Sequence, residues 1–281
     1  MQMVKKIISL MLISVIFYSC TSNVNEAEVK KARQFFESVF QDQVLDSPEF
    51  QASLGYKSNY DKWDDITWIK SRNVAMRAAD DLKYLKKFIN YDKLDFNTKI
   101  SYRLMEKKLT RIIDNDKFIF HDYLITHRGG KHSSIPSFLI NYHTVEEEQD
   151  IIDYIARLRN VESLMDNLIE GLRLRQDVKK LAPSFVYPQA IKTSENIISN
   201  YPFEESEKQN VIYNDFMKKL NNLEISDEKK LRYQSEVEAV LVTIVNFSYK
   251  KLITFLKEQE KVADNNHGVW KFKDGKDYTS I

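Results

Sequence analysis

Apolar residues recur with a period of 3.6 along almost the whole chain, and this pattern constrains the fold most strongly. Glycine and proline, 6 and 5 of 281 residues, occur at about a third of their average usage. A β-sandwich or β-barrel needs many turns and is therefore disfavoured. We predict an all-α chain, a single helical domain of about six to seven helices.

Several helices can be located from the spacing of apolar residues. Two faces with steps of three and four residues are Ala75-Ala78-Leu82-Leu85-Ile89 and Tyr102-Met105-Leu109-Ile112. Thr144 and Glu147 have the spacing of a capping box, which predicts a helix whose inward face runs from Ile151 to Leu172. Pro188 suits the first turn of a helix ending near Asn200. Residues 46–68 and 118–141 lack the period and are expected to be non-helical.

The last helix is predicted to be the longest and to be buried. Ser226 is a good N-cap, and acidic Asp227 follows it in the first turn. A helix from Asp227 to about Val262 would be roughly 50 Å long. Its middle, residues 237–247, is apolar on most sides and is expected to lie between other helices.

The N-terminus has the parts of a lipoprotein signal peptide. Lys5 and Lys6 precede an apolar run from Ile7 to Tyr18, and Cys20, the sole cysteine, follows a small residue. We expect cleavage after residue 19 and a lipid on Cys20, which places the protein in the bacterial cell envelope, on the periplasmic side or at the outer membrane. Secretion with an incidental cysteine and an uncleaved anchor are the alternatives. The run is short for a membrane span, which needs about 20 residues.

Three segments follow from this interpretation: a signal peptide (residues 1–19), a tether with a first helix (20–45) and a helical domain (46–281). Removing residues 1–19 takes away two lysines and changes the formal charge from +1 to −1. The chain therefore lacks the basic excess typical of nucleic-acid binding. With one cysteine it must be stabilised by a packed core, not by disulfides.

Five histidines are the candidate ligands for a metal: His121, His127, His132, His143 and His267. Their spacing does not favour a metal site, because no two of them stand four apart on one helix face. We therefore predict no metal ligand in this chain, and treat the first three as hydrogen-bonding residues of a polar loop. A ligand-contacting loop, or an enzyme that uses these three histidines, are the alternatives.

Other patterns carry little chemistry. Gly129-Gly130 beside Arg128 could form a small anion site, but a loop that needs a positive φ is the preferred interpretation. The chain has no G-x-S-x-G nucleophile elbow, and carboxylate pairs such as Asp64-Asp65 are typical of solvated surfaces. We predict no catalytic and no cofactor-binding residue.

Several short motifs, in order, resemble one bacterial family, the domain of unknown function 885. They are Asp46-Ser-Pro-Glu with Leu54-Gly55, Trp63-Asp-Asp-Ile, Gly129-Gly130 through Pro136 to His143, Tyr154-Ile-Ala-Arg-Leu158, Pro183-Ser-Phe-Val-Tyr-Pro188, and Gly268-Val-Trp-Lys-Phe-Lys-Asp-Gly275 with Tyr278. Many members of that family are described as lipoproteins, in agreement with Cys20.

The resemblance also has implications for function. Members of the family run to roughly twice this length, and their second half carries an H-E-x-x-P-G-H-type helix, the layout of a zinc metallopeptidase. This chain has no such motif. We therefore expect it to be the N-terminal helical portion of a metallopeptidase-like lipoprotein, truncated before the metal-binding half and inactive alone, with zinc only in that half.

Two kinds of partner are expected besides the membrane: a separately encoded C-terminal half and a peptide-like ligand. The alternative function is a stand-alone helical lipoprotein that binds a peptide or small ligand at the membrane surface, in a groove lined by tyrosine and tryptophan.

Overall fold

The computed structural model describes residues 23–279, and helices account for 68% of the structure. The helices are α1 (Glu26–Leu45), α2 (Pro48–Ser53), α3 (Trp68–Phe88), α4 (Phe96–Asp116), α5 (Lys131–Tyr142), α6 (Glu148–Arg159), α7 (Val161–Asp177), α8 (Val186–Ile197), α9 (Val211–Asn221), α10 (Asp227–Glu260) and α11 (Gly275–Tyr278). Short 3₁₀ turns lie at Tyr91–Lys93 and Val269–Lys271, and the strands β1 (Ile125–Thr126) and β2 (Gly129–Gly130) pair antiparallel. The prediction of an all-α fold is confirmed, but the described residues contain more helices than the six to seven predicted.

The chain divides into two compact units. The described part of the smaller unit comprises residues 23–39 and 78–110, and that of the larger comprises 40–77 and 111–279. In the smaller unit, Ala32 and Leu85 are fully buried, and the rings of Phe35 and Tyr84 stack with centroids 4.9 Å apart. In the larger unit, α5 to α10 enclose a core that includes the fully buried Met165.

The helix predicted across residues 151–172 is in fact two helices. Asn160 separates α6 from α7, and its side-chain amide donates to the carbonyl of Asp61 at 3.0 Å. The predicted cap is also wrong. The helix begins at Glu148, and the carboxylate of Asp150 accepts from the backbone N–H groups of Glu146 and Glu147.

Residues 118–141 were expected to be non-helical, but α5 occupies the second half of this segment and has Pro136 in its interior. A proline in a helix leaves the carbonyl four residues earlier without its usual donor. Here that carbonyl belongs to His132, and the hydroxyl of Tyr249 donates to it at 2.6 Å. A tertiary hydrogen bond thus replaces the one that the proline removes.

Helix α10 confirms the prediction of a long buried C-terminal helix. It starts at Asp227, and Ser226 Oγ accepts from the backbone N–H of Lys229 at 3.4 Å. Within residues 23–279, it is the one helix long and apolar enough to cross a membrane by length and composition. The same composition suits a core helix, and Tyr249 and Leu252 are fully buried.

A π turn at Leu241–Val245 interrupts α10. Before it, Tyr233, Val237 and Val240 are buried at the spacing of an α-helix, which would next bury Ile244. Instead Ile244 is only partly buried and Val245 is fully buried. The π turn therefore accommodates one extra residue and keeps the apolar face on the core.

Candidate functional site

The start of α2 forms one side of the candidate site. Ser47 caps this helix by accepting from the N–H of Phe50 at 3.0 Å, and Pro48 occupies its first position. The hydroxyl of Ser47 donates to the carboxylate of Asp64 at 2.7 Å, and Asp64 also accepts from the N–H of Glu49 at 2.9 Å. Asp64 thereby joins the Trp63-Asp-Asp motif to the Ser47-Pro-Glu motif and holds the start of α2 in place.

A fully buried arginine, Arg157 of α6, holds the loop before this aspartate. Its guanidinium donates to the carbonyls of Lys62 at 3.0 Å and Asn59 at 3.4 Å, and to His143 Nδ1 at 2.9 Å. The indole N–H of Trp63 donates back to the Arg157 carbonyl at 2.8 Å. Burial lowers the pKa of Arg157 to about 10, so it stays charged at neutral pH and fixes the loop.

Beside this loop the larger unit contains a pocket of about 530 Å³, here called the aspartate pocket. It is lined by Asp46, Asp65, Lys70, Ser71, Val74, Ala75, Ile112, Asn115, Asp116, Phe118, Ile119, Asp122 and Tyr278. Its volume lies in the range of small-molecule sites. The lining combines apolar and aromatic side chains with four carboxylates.

Three of the four carboxylates have basic partners. These pairs are Asp46 with Lys70 (2.6 Å) and Arg77, Asp116 with Arg72 (3.0 Å), and Asp122 with Arg175 (2.6 Å). Asp65 is exposed and accepts from the N–H of Thr67 at 2.9 Å, and it takes part in none of the ion pairs formed by residues 23–279. Asp65 is therefore the one carboxylate of this pocket without an ion-pair partner among the described residues.

Asp65 also borders a second pocket of about 460 Å³, here called the asparagine pocket. Its lining is largely polar and consists of Asp61, Lys62, Trp63, Asp64, Asp65, Asn160, Ser163, Leu164 and Asn167. The two pockets share Asp65 and therefore adjoin at this residue.

The tyrosine of the aspartate pocket, Tyr278, is held by a charged cluster behind it. Lys180 Nζ lies 2.7 Å from both His121 Nε2 and Asp274 Oδ1, and the His121 and Tyr278 ring centroids are 5.3 Å apart. Hydrogen bonds from Lys180 and His121 hold the pKa of Asp274 well below its usual range. The cluster thus attaches the C-terminal turn that carries Tyr278 to the rest of the larger unit.

The histidines named as candidates have separate environments. His127 is exposed beside the ring of Phe185 (5.7 Å). His132 is buried with no hydrogen bond to either ring nitrogen, and burial lowers its pKa to about 4. His143 is fully buried, its Nε2 lies 2.9 Å from the Asp150 carbonyl, and burial lowers its pKa to about 3.

The structure therefore does not bring His121, His127 and His132 to one site. Within residues 23–279, no group of three or more histidine, cysteine or acidic residues could hold a metal ion. The zinc implied by the family resemblance does not fit the residues of this range.

Gly129 and Gly130 have a conformational role. Gly129 has a φ of +135°, and the N–H of Gly130 donates to Ser133 Oγ at 3.1 Å. A Cβ on Gly130 would lie 2.4 Å from the carbonyl of Leu124. The positive φ of Gly129 matches the preferred interpretation, a loop that needs glycine. The Gly130 amide already donates to Ser133, so it does not offer a free donor for an anion.

The position of Asp65 at a pocket was not predicted from the sequence. Asp65 is exposed, as predicted for a surface residue, and it also borders the two pockets. The one available signal was its place in the Trp63-Asp-Asp motif. Cys20, the predicted lipid attachment site, lies outside the described residues.

Comparison with known proteins identifies the family. The family described as "Bacterial protein of unknown function (DUF885)" matches residues 48–278. A crystal structure titled "the putative lipoprotein from Colwellia psychrerythraea" superposes with a TM-score of 0.79 at 16% identity, covering 89% of this chain and 45% of that one. This chain thus corresponds to less than half of that protein, and no curated protein matches it. By its match over most of its length, the chain belongs to the DUF885 family.

Proposed function

We propose that this chain is the N-terminal helical portion of a lipid-anchored, zinc-metallopeptidase-like protein of the bacterial cell envelope. Its helices would form one wall of a substrate cleft. Zinc and the catalytic groups would be bound by a second half, either continuous with this chain or separately encoded. The role of this chain would be to hold the substrate, with Cys20 as the lipid attachment site.

One observation carries this proposal: the fold covers 89% of this chain but only 45% of the Colwellia psychrerythraea protein. The helical scaffold here is thus similar to part of a larger one.

The test is hydrolysis of a peptide library by purified residues 20–281, with and without added zinc. We expect no zinc-dependent cleavage by the chain alone. Cleavage that appears with zinc and disappears with a chelator would overturn the proposal. Sequencing the DNA downstream gives a second test, since an adjacent frame encoding H-E-x-x-H would support it.

The second candidate is a stand-alone helical lipoprotein that binds a peptide or small ligand at the membrane surface. The aspartate pocket favours it, because a pocket of about 530 Å³ is formed by the larger unit without any second half. An unrelated downstream gene, together with cooperative unfolding of a soluble monomer, would favour this candidate over the first.

A further inference from the structure

We infer that the aspartate pocket and the adjoining asparagine pocket together bind an extended peptide that presents a basic side chain to Asp65. This inference deepens the binding role proposed above as the second candidate, and it rests on that role. It names the ligand class, the contacting residues and the source of selectivity.

The pattern of ion pairs favours a ligand that carries a positive charge. Each of the other three carboxylates of the aspartate pocket is paired with lysine or arginine, whereas Asp65 is not. A ligand ammonium or guanidinium group at Asp65 would complete the pairing without displacing an existing partner. An anionic group at the same place would meet a carboxylate that takes part in no ion pair among the described residues.

The apolar residues of the lining indicate what should accompany this charge in the ligand. Phe118, Ile119 and Tyr278 line the same pocket as Asp65. Phe118 and Tyr278 stand edge to face, with ring centroids 5.6 Å apart. An aromatic or aliphatic side chain next to the basic one would therefore be removed from water there.

The asparagine pocket indicates the shape of the ligand. It shares Asp65 with the aspartate pocket, and its lining includes Asn160, Ser163 and Asn167 together with the charged Asp61 and Lys62. Amide and hydroxyl groups of this kind can donate to and accept from a peptide backbone. Two adjoining pockets of about 530 and 460 Å³ suit a chain of several residues better than one compact molecule.

The test uses fluorescence polarisation with two labelled tetrapeptides, Ala-Arg-Phe-Ala and Ala-Glu-Phe-Ala, and the mature chain. We expect the basic peptide to bind at least tenfold more tightly at about 50 mM salt, and this preference to shrink at about 500 mM, where charges are screened. Asp65→Asn keeps the shape and the acceptor for Thr67. It should weaken binding of the basic peptide at least fivefold and leave the acidic peptide unchanged or stronger.

Two further variants distinguish a failure of the inferred selectivity from a failure of the binding role. Glu205→Gln, which removes an exposed carboxylate on the α8–α9 loop, should have no effect. Ser71→Trp, at an exposed lining position of α3, should block both peptides. If both peptides bind equally and Ser71→Trp blocks them, the binding role stands and the selectivity inferred for Asp65 is refuted. If neither peptide binds, the binding role itself is refuted.

Discussion

Lowering the pH from 7 to 5 should destabilise this fold chiefly through two buried histidines. His143 donates through Nε2 to the carbonyl of Asp150 and accepts at Nδ1 from Arg157. Protonation of Nδ1 would remove that acceptor and place a second positive charge against the guanidinium. His132 has no partner on either ring nitrogen, so its protonated form would be a buried cation without a hydrogen bond.

The size of the effect follows from the difference between folded and unfolded pKa values. The unfolded value is about 6.5, and the folded values are about 4 for His132 and about 3 for His143. The unfolded chain therefore binds more protons in this interval, and stability present above pH 6.5 is lost as the pH falls toward the folded values. Each histidine should lower the free energy of unfolding by about 2 kcal/mol between pH 7 and pH 5.

Urea unfolding of the mature chain, followed by far-UV circular dichroism at pH 7, 6 and 5, measures this loss. We expect about 4 kcal/mol for the native sequence and about half of that for either His132→Leu or His143→Gln. Glutamine can keep both hydrogen bonds of His143. His127→Gln, at an exposed position, is the matched control and should leave the loss unchanged. A native loss below about 1 kcal/mol, or equal losses in all variants, would refute the reasoning.

Three further predictions follow from single features. Arg157→Met should lower the free energy of unfolding by about 3 kcal/mol in urea, because the buried His143 Nδ1 and two partly buried carbonyls lose their donor; a loss below about 1 kcal/mol would contradict this. Deleting Thr243 should lower the free energy of unfolding by less than about 2 kcal/mol, because it removes the extra residue of the π turn. Deleting the exposed Lys250 should instead abolish cooperative unfolding, because it rotates the apolar face of the rest of α10 by about 100°. Cys20→Ser should move the protein from the membrane fraction to the soluble fraction, and mass spectrometry of the native N-terminus should find a diacylglyceryl thioether; an unmodified cysteine would refute the anchor.

The sequence was sufficient to predict the helical class because helix faces depend on local spacing. The stretch from Ala75 to Ile89 lies in α3 and its connection, and the stretch from Tyr102 to Ile112 lies in α4. Ser226 was located correctly for the same reason, since a cap depends on the few residues beside it.

The errors arose where long-range contacts decide the structure. α5 was missed because its proline is compensated by Tyr249, which is 117 residues distant from His132. The division between α6 and α7 involves Asn160 and a carbonyl 99 residues away in the chain. A local sequence pattern does not reveal hydrogen bonds between residues this far apart in the chain.

The candidate site was hidden from the sequence for a related reason. The charge of an aspartate in a pocket depends on which cations approach it in the folded chain. Asp46 and Asp65 look alike in the sequence, but Asp46 is paired with Lys70 and Arg77, while Asp65 has no basic partner within the described residues. What distinguishes the two residues is the set of cations around each, and that distinction makes Asp65 the position at which selectivity for a basic ligand can be tested.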